Sequence, residues 1–361
     1  MKKLIVFIFF VVMVTIAGKA QNSYRISGKM SGISDGILLL INEESGKSDT
    51  LCTTEIKNGV FIFMGEINGP VAVYITPSDG NGVIPLILEN TDFMINVTEN
   101  GVLIQGGKQQ ELLNRYLRVN QLFVSEQAKV AAEAQQPGAN VQALQKRLNK
   151  AYETSVNATL ELIKANPDEY ATAHVIASGI QGETEEGLRS KYALLGKVAR
   201  VSVPGKRIAV ALEQYARLAV GEDAPNFTTE RPDGNTFSLY DVSAKLKLVN
   251  FWVSTNPLCR QDNTDLVKLY LQYRPRGLEI ISISLDDNRG DWRNAVGQDG
   301  MVWINGSDLQ GFTSPIAREY MVHDVPATFL VDAENRIVAK GLRGDALRDT
   351  VAKLLKKSKK K

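Results

Sequence analysis

The spacing of hydrophobic residues divides the chain into three zones, and the first zone has the pattern of an all-β domain. From Tyr24 to about Gln105, short hydrophobic runs alternate with turn residues such as Asn58-Gly59 and Asp79-Gly80. Runs of this length, about ten residues apart, are typical of the strands of a small β-sandwich. The predicted strands are Gly36–Ile41, Asp49–Thr53, Val60–Phe63, Val71–Ile75 and Phe93–Val97.

The second zone, from Gln109 to Ala219, has helical periodicity. Pro137-Gly138 and Asn166-Pro167 interrupt it and predict separate helices. One predicted helix carries an apolar face formed by Val141, Leu144, Leu148, Tyr152, Val156 and Ile163. Further helices are predicted at about Asp168–Ser178, Glu185–Val198 and Lys206–Ala219. We interpret these apolar faces as core rather than as a cofactor site, and His174 as a structural histidine.

The third zone, from Gly221 onward, alternates strands with helices. The predicted strands are Thr236–Leu239, Leu246–Trp252, Leu278–Leu285, Val302–Ile304, Thr328–Val331 and Arg336–Leu342. The predicted helices are Cys259–Tyr273, Asp291–Val296, Ser314–Tyr320 and Ala346–Leu355. Continuous apolar strands between helices predict a mostly parallel, buried sheet of the α/β class. A turn at Asn335 predicts that an antiparallel hairpin completes this sheet.

The first residues have the pattern of a secretory signal peptide. Lys2 and Lys3 precede the apolar run Leu4–Ile16, and Gly18-Lys19-Ala20 is a small-x-small cleavage site. We therefore expect an exported protein of the periplasm or cell envelope, with an uncleaved anchor as the alternative. The predicted organisation is a signal peptide at 1–20, a β domain at 21–106, a helical segment at 107–219 and an α/β domain with a basic tail at 220–361.

The charge of the chain is unevenly distributed. The formal net charge is +2, but lysines concentrate at the two ends, so the body between them is acidic. A nucleic acid is therefore not an expected partner. The C-terminal lysines are interpreted as a solvated, disordered tail. Contact of this tail with an anionic membrane surface is the alternative.

The chain has too few cysteines and histidines for several classes of site. Its 2 cysteines are Cys52 and Cys259, and its 2 histidines are His174 and His323. This count excludes a disulfide-stapled fold and a Cys/His zinc site. We expect two buried, unpaired thiols, with a Cys52–Cys259 disulfide as the alternative. No phosphate-binding glycine loop, catalytic triad order or metal-ligand cluster is found, so no cofactor or metal is predicted.

Five motifs of the third zone occur in the order found in one known family. They are Gly221–Phe227, Val249–Trp252, Cys259-Arg260, Ile281–Asp286 and Val325–Asp332. Together they resemble the exported thioredoxin-like proteins related to alkyl hydroperoxide reductase and thiol-specific antioxidant proteins. The resemblance covers about 140 residues and implies a thioredoxin-like fold. The whole layout also resembles envelope proteins that pair this fold with an N-terminal domain of unknown function.

The same resemblance implies a redox site that lacks its nucleophile. The family pattern F-W-A-x-W-C-x-x-C-[RK] places Asn256 at the first cysteine and Thr255 at the preceding tryptophan. Cys259 matches the second, resolving cysteine, which is normally buried with a high pKa, and Arg260 could lower that pKa. Asn250 stands where thioredoxin has a buried aspartate. Because an amide cannot become a sulfur nucleophile, two-cysteine exchange is not expected.

The resemblance also implies a surface for an extended partner. Val325-Pro326 matches the cis-proline loop, which packs opposite the start of the active-site helix. In that family, the residue before the proline offers its main chain to an extended peptide. The predicted binding residues are therefore Thr255, Asn256, Val325 and Pro326. His323, two residues before Val325, is interpreted as a solvated loop histidine.

These features leave two hypotheses about function. The first is a non-catalytic binding module for a protein or peptide partner in the cell envelope. The second is a one-cysteine thiol–disulfide oxidoreductase or peroxidase that uses Cys259. Peroxiredoxin-like sites have a Thr three residues before the reactive cysteine, whereas Thr255 lies four residues before Cys259. We favour the binding module because the first cysteine is missing and this spacing does not match.

Overall fold

A computed structural model describes residues 22–31, 35–42, 44, 49–80, 82–99 and 101–357. The predicted signal peptide lies outside the described residues. Clustering of contacts gives two compact units, Met1–Ser178 with Ser190–Arg207 and Gly179–Arg189 with Ile208–Lys361. The helical segment predicted at 107–219 contributes residues to both units. Among the described residues, no helix is long and apolar enough to span a membrane.

The first unit contains two four-stranded sheets around one apolar core. Their orders are β4-β1-β7-β8 and β3-β2-β5-β6, and only the β1–β7 pairing among these strands is parallel. The strands are β1 (Tyr24–Met30), β2 (Gly36–Asn42), β3 (Asp49–Ile56), β4 (Val60–Gly65), β5 (Val71–Pro77), β6 (Ile84–Leu88), β7 (Asp92–Thr98) and β8 (Gly101–Gln105). Alternating burial along β1 and β4 directs every second side chain into the core. The sequence prediction missed β1, β6 and β8.

The helices that follow are α1 (Lys108–Ala134), α2 (Val141–Ala165), α3 (Tyr170–Ser178), α4 (Glu185–Leu194), α5 (Lys197–Val201) and α6 (Val203–Arg217). The predicted helix Glu185–Val198 is two helices, because the backbone at Gly196 closely approaches Asp168. A Cβ at Gly196 would lie 2.1 Å from Asp168 Oδ1, and that carboxylate accepts a hydrogen bond from Val198 N at 3.0 Å.

The predicted apolar face of α2 is only partly core. Ile163 is buried, but Val141 and Tyr152 are 67% and 57% exposed. Cys52 on β3 is half-buried rather than buried, and its Sγ lies 3.4 Å from the Tyr24 hydroxyl. Neither cysteine of the chain forms a disulfide.

The second unit is built on a seven-stranded sheet with the order β10-β9-β13-β12-β11-β14-β15. Its strands are β9 (Thr228–Glu230), β10 (Thr236–Ser238), β11 (Leu246–Trp252), β12 (Leu278–Ser284), β13 (Ile304–Ser307), β14 (Ala327–Asp332) and β15 (Ile337–Lys340). The helices of the same region are α7 (Pro257–Tyr273), α8 (Arg289–Gln298), α9 (Pro315–Glu319) and α10 (Gly344–Lys357).

The prediction of a mostly parallel sheet is wrong. Strands β11, β12 and β13 pair in parallel, whereas β14, β15, β9 and β10 join by antiparallel pairings. The predicted hairpin at Asn335 is confirmed as β14–β15. Strand β11 is buried along its whole length and lies between β12 and β14 in the interior of the sheet. The interpretation of the C-terminal lysines as a disordered tail is wrong for Lys353, Lys356 and Lys357, which belong to α10. For residues 358–361 it lies outside the described residues.

Candidate functional site

The candidate site lies where β11 ends and α7 begins. Asn256 is the N-cap residue of α7, and its Oδ1 accepts hydrogen bonds from Leu258 N at 2.8 Å and Cys259 N at 3.3 Å. Pro257 follows at the first helical position, where its missing N–H costs nothing and its fixed φ suits the helix. The sequence Asn-Pro therefore starts α7 with an amide at the N-cap and a proline in the first turn.

The loop before β14 is joined to this helix start. The Val325–Pro326 peptide bond is cis. The side-chain amide of Asn256 donates a hydrogen bond through Nδ2 to the carbonyl oxygen of Val325 at 3.2 Å. Asn256 thus uses both ends of its amide, the oxygen for α7 and the nitrogen for the loop.

The N–H group of Val325 is occupied as well. It donates to Oδ1 of Asp324, the preceding residue, at 2.8 Å. Val325 is buried, whereas Asp324 is exposed and Asn256 and Pro326 are half-buried. Asp324 was not among the predicted site residues, because nothing in the sequence around a single loop aspartate indicates a hydrogen bond to the next main-chain N–H.

Cys259 lies one turn into α7 and is 1% exposed. Burial raises the pKa of its thiol to about 11. A hydrogen bond with the Val253 backbone and the positive charge of Arg343 act in the opposite direction, whereas the carboxylates of Asp262 and Asp324 add to the rise. The thiol is therefore protonated at neutral pH, which disfavours its use as a nucleophile.

Arg260 does not help to ionise Cys259. Its guanidinium binds both carboxylate oxygens of Asp299 at 2.7 Å and donates to Ser254 O at 3.3 Å. Asn263 Nδ2 donates to the same Asp299 carboxylate at 2.8 Å. The expectation that Arg260 could lower the pKa of the thiol is not supported, because the guanidinium is paired with the Asp299 carboxylate.

A buried carboxylate fixes the loop that precedes Asn256. Asp286, at the end of β12, accepts hydrogen bonds from Ser254 N at 3.0 Å and Ser254 Oγ at 2.8 Å. Its second oxygen accepts from Ser284 Oγ at 2.6 Å. Asp286 belongs to the motif Ile281–Asp286, and its carboxylate holds the loop against the sheet.

Asn250, in β11, reaches a different part of the fold. Its Nδ2 donates to Ser282 Oγ at 3.3 Å, and the same hydroxyl oxygen accepts from Trp303 Nε1 at 2.9 Å. Asn250 and Thr328 also line a cavity of about 130 Å³ between α7 and α10. Asn250 is therefore a partner in a buried polar network, with no hydrogen bond to Asn256.

The remaining predicted residues divide between the surface and the interior. Thr255 is exposed beside Asn256, as are Pro257 and Leu258. His323 is half-buried, and burial lowers the pKa of its imidazole. Its Nε2 has no hydrogen-bond partner in the part of the chain that the structure describes. Because this nitrogen is buried, the interpretation of His323 as a solvated histidine is wrong for Nε2.

Two family models match the chain, each over one region. Residues 220–340 match the AhpC/TSA family, and residues 24–113 match a domain of unknown function, DUF4369. Residues 220–340 thus form an AhpC/TSA-family domain. This confirms the predicted thioredoxin-like fold of the C-terminal domain and the predicted N-terminal domain of unknown function.

Individual relatives match part of this chain. The thiol-disulfide oxidoreductases ResA of Bacillus thuringiensis subsp. konkukian and Bacillus anthracis are 26% and 28% identical over 141 residues, which is 39% of this chain and 79% of each relative. Among solved structures, the thioredoxin domain of a thiol-disulfide oxidoreductase from Bacteroides vulgatus is 35% identical, with 38% of this chain and 99% of that chain covered and a TM-score of 0.37. A thiol:disulfide interchange protein from Bacteroides sp. is 34% identical over 38% of this chain and 91% of that chain, with a TM-score of 0.36.

No cluster of three or more His, Cys, Asp or Glu side chains that could hold a metal ion is found within the described residues. The groups that meet at the thioredoxin-like site are amides, a carboxylate, a protonated thiol and main-chain polar groups. This set can form hydrogen bonds with a partner, but it offers no thiolate at neutral pH.

Proposed function

We propose that the thioredoxin-like domain is a binding module for an extended segment of a protein partner, without thiol–disulfide turnover. The segment binds at the surface formed by Thr255, Asn256, Val325 and Pro326. From the leader pattern at residues 1–20, we place this activity in the cell envelope. No nucleic acid, cofactor or metal takes part in the proposed function.

The observation that carries the proposal is the position of Asn256. Its amide caps α7 and donates a hydrogen bond to Val325 O. The resemblance to the thioredoxin-like motif gives this position to the attacking cysteine. Exchange of disulfides requires a thiolate that attacks a disulfide sulfur. The nearest thiol, Cys259, is buried, and its pKa is about 11. The site therefore keeps the geometry for contact with a partner and lacks the group for turnover.

A second candidate function is one-cysteine thiol–disulfide exchange through Cys259. The names of the relatives favour it, since they are thiol-disulfide oxidoreductases. In that reaction the Cys259 thiolate would attack a partner disulfide, form a mixed disulfide and release the second partner sulfur as a thiolate. The burial of Cys259 opposes this candidate, because the reacting sulfur must be reached by the partner.

Reduction of insulin by dithiothreitol separates the two candidates. The wild-type chain should not exceed the rate of dithiothreitol alone. Asn256→Cys creates a Cys-Pro-Leu-Cys pair and serves as the positive control in the same fold. Wild-type turnover that Cys259→Ser abolishes would favour the second candidate and contradict the binding module.

Binding itself is tested with an extended probe that cannot exchange disulfides, the carboxymethylated B chain of insulin. Titration into the 15N-labelled chain should shift the amide signals of Thr255, Asn256 and Val325. Leu258→Asp and Leu271→Asp form a matched pair, because both leucines lie on α7 and are 51% and 67% exposed. Only the first lies at the site, so only Leu258→Asp should weaken binding. Equal effects of the two variants, or no shift at the three amides, would contradict the proposal.

A further inference from the structure

Both main-chain polar groups of Val325 already have a hydrogen-bond partner in the structure. Its carbonyl oxygen accepts from Asn256 Nδ2 at 3.2 Å, and its N–H donates to Asp324 Oδ1 at 2.8 Å. Val325 itself is 6% exposed, and the two side chains that hold its polar groups lie nearer to solvent.

An extended segment that pairs with Val325 needs these same two groups. In an antiparallel hydrogen-bonded pair, one residue of each strand exchanges both its N–H and its C=O with the residue opposite. Asn256 supplies an N–H and Asp324 supplies an oxygen, which are the two groups that such a residue would offer. The two side chains therefore occupy the places of a partner's main chain.

We propose that the docking edge at Val325 is closed in the free protein by Asn256 and Asp324, and that a partner opens it by exchanging hydrogen bonds. The partner's N–H replaces Asn256 Nδ2 at Val325 O, and its C=O replaces the Asp324 carboxylate at Val325 N–H. This inference rests on the proposed binding function and adds the way in which the site is controlled.

The arrangement allows exchange without loss of the fold. The released Asp324 carboxylate lies at the surface, where water replaces its lost hydrogen bond. The Asn256 amide is half-buried, and its oxygen can keep its bonds to the first turn of α7 if only the nitrogen loses its acceptor. Because each bond that is broken is matched by one that forms, the closed edge lowers the affinity for a partner without abolishing it.

The exchange also restricts the partner. The residue opposite Val325 must supply an N–H, and proline has none. A proline at that position of an otherwise identical segment should therefore leave Val325 O without a donor. A partner of this site is an extended segment with a non-proline residue at the pairing position.

The test compares isosteric substitutions that remove or keep one hydrogen bond. Asn256→Asp keeps the oxygen that caps α7 but removes the N–H donor to Val325 O. Asn256→Ser replaces the amide, with its N–H donor, by a shorter side chain whose oxygen can still cap α7. Asp324→Ala removes the acceptor of Val325 N–H, and Asp324→Asn keeps an acceptor oxygen and is the matched control. The first readout is hydrogen exchange of the Val325 amide in the free chain, which should be faster in Asp324→Ala than in Asp324→Asn.

The second readout is affinity for the carboxymethylated insulin B chain. Removing one competing hydrogen bond should tighten binding about fivefold, so Asn256→Asp, Asn256→Ser and Asp324→Ala should exceed the wild type. Asp324→Asn should match it. Wild-type binding with no gain in these variants would overturn the closed edge and leave the proposed function standing. Absence of binding in the wild type and in every variant would refute both.

Discussion

Arg260 follows Cys259 in the chain, but its guanidinium binds Asp299, the C-cap residue of α8. The Nε–Oδ2 and Nη2–Oδ1 distances are both 2.7 Å. The pair is mostly shielded, since 30% of the Arg260 side chain and 10% of the Asp299 side chain are exposed. Arg260 is therefore an anchor between the start of α7 and the end of α8. The charge that lowers the pKa of the thiol comes instead from Arg343, in the loop before α10.

The two arginines should therefore differ in their effect on the pKa of Cys259. Arg260→Gln should leave the pH profile of Cys259 alkylation unchanged, while it lowers the free energy of unfolding by about 1–3 kcal/mol through loss of charged hydrogen bonds. Arg343→Gln should raise the pKa of Cys259 further, because it removes a favourable charge. Alkylation rates between pH 8 and pH 11 measure the pKa of Cys259 in both variants. A large change with Arg260→Gln would show that Arg260 acts on the thiol.

Cys259 should react slowly in the native chain. With a pKa of about 11, on the order of one thiol in a thousand is ionised at pH 8, against about one in four for a free cysteine of pKa ~8.5. Iodoacetamide labelling should therefore be slow in buffer and fast in urea. Cys52→Ala provides a chain with a single thiol, so the measured rate belongs to Cys259. Equal rates in buffer and in urea would contradict the assigned burial.

The same pKa predicts a loss of stability at high pH. The thiol has a folded-state pKa above its unfolded value, so the protonated form stabilises the fold. This contribution is complete below the unfolded pKa of about 8.5 and is lost as the pH rises toward 11. Urea midpoints of the wild type should fall more steeply across this window than those of Cys259→Ala. Parallel pH profiles of the two chains would show that ionisation of Cys259 is not linked to folding.

Much of the site could be predicted from the sequence because its elements are local. The run Leu246–Trp252 is mostly apolar, interrupted by Lys247 and Asn250, and the strand has the same bounds. The helix predicted at Cys259–Tyr273 has the same end as α7, although α7 begins two residues earlier, at Pro257, because Asn256 caps it. The partners of these residues are far away in the chain, so periodicity contains no sign of them. The contacts of Arg260 with Asp299, of Ser254 with Asp286 and of Asn256 with Val325 all span more than 30 residues.

The direction of the outer strands could not be predicted for a related reason. A buried strand is apolar whether its neighbour is parallel or antiparallel, so composition alone favoured a parallel sheet. Strand β14 runs antiparallel to β11. Its direction depends on the path of the loop that carries Val325, which is set by tertiary contacts and not by the local sequence. The apolar pattern of α2 also overstated its core, since Val141 and Tyr152 repeat at helical spacing yet remain exposed.

Asp286 should be the most sensitive polar residue of this region. Asp286→Ala leaves Ser254 N–H, the Ser254 hydroxyl and the Ser284 hydroxyl without their acceptor in a buried setting. Unsatisfied groups of this kind cost about 1–3 kcal/mol each, so the free energy of unfolding should fall by about 3 kcal/mol. Asp286→Asn keeps one acceptor oxygen and should lose about half as much. Exposed Asp287 is the control, and Asp287→Ala should change the urea midpoint little.

Because Ser254 precedes Thr255 and Asn256, Asp286→Ala should also broaden the amide signals of these two residues. A destabilised chain in which those signals stay sharp would show that Asp286 supports the sheet and not the loop.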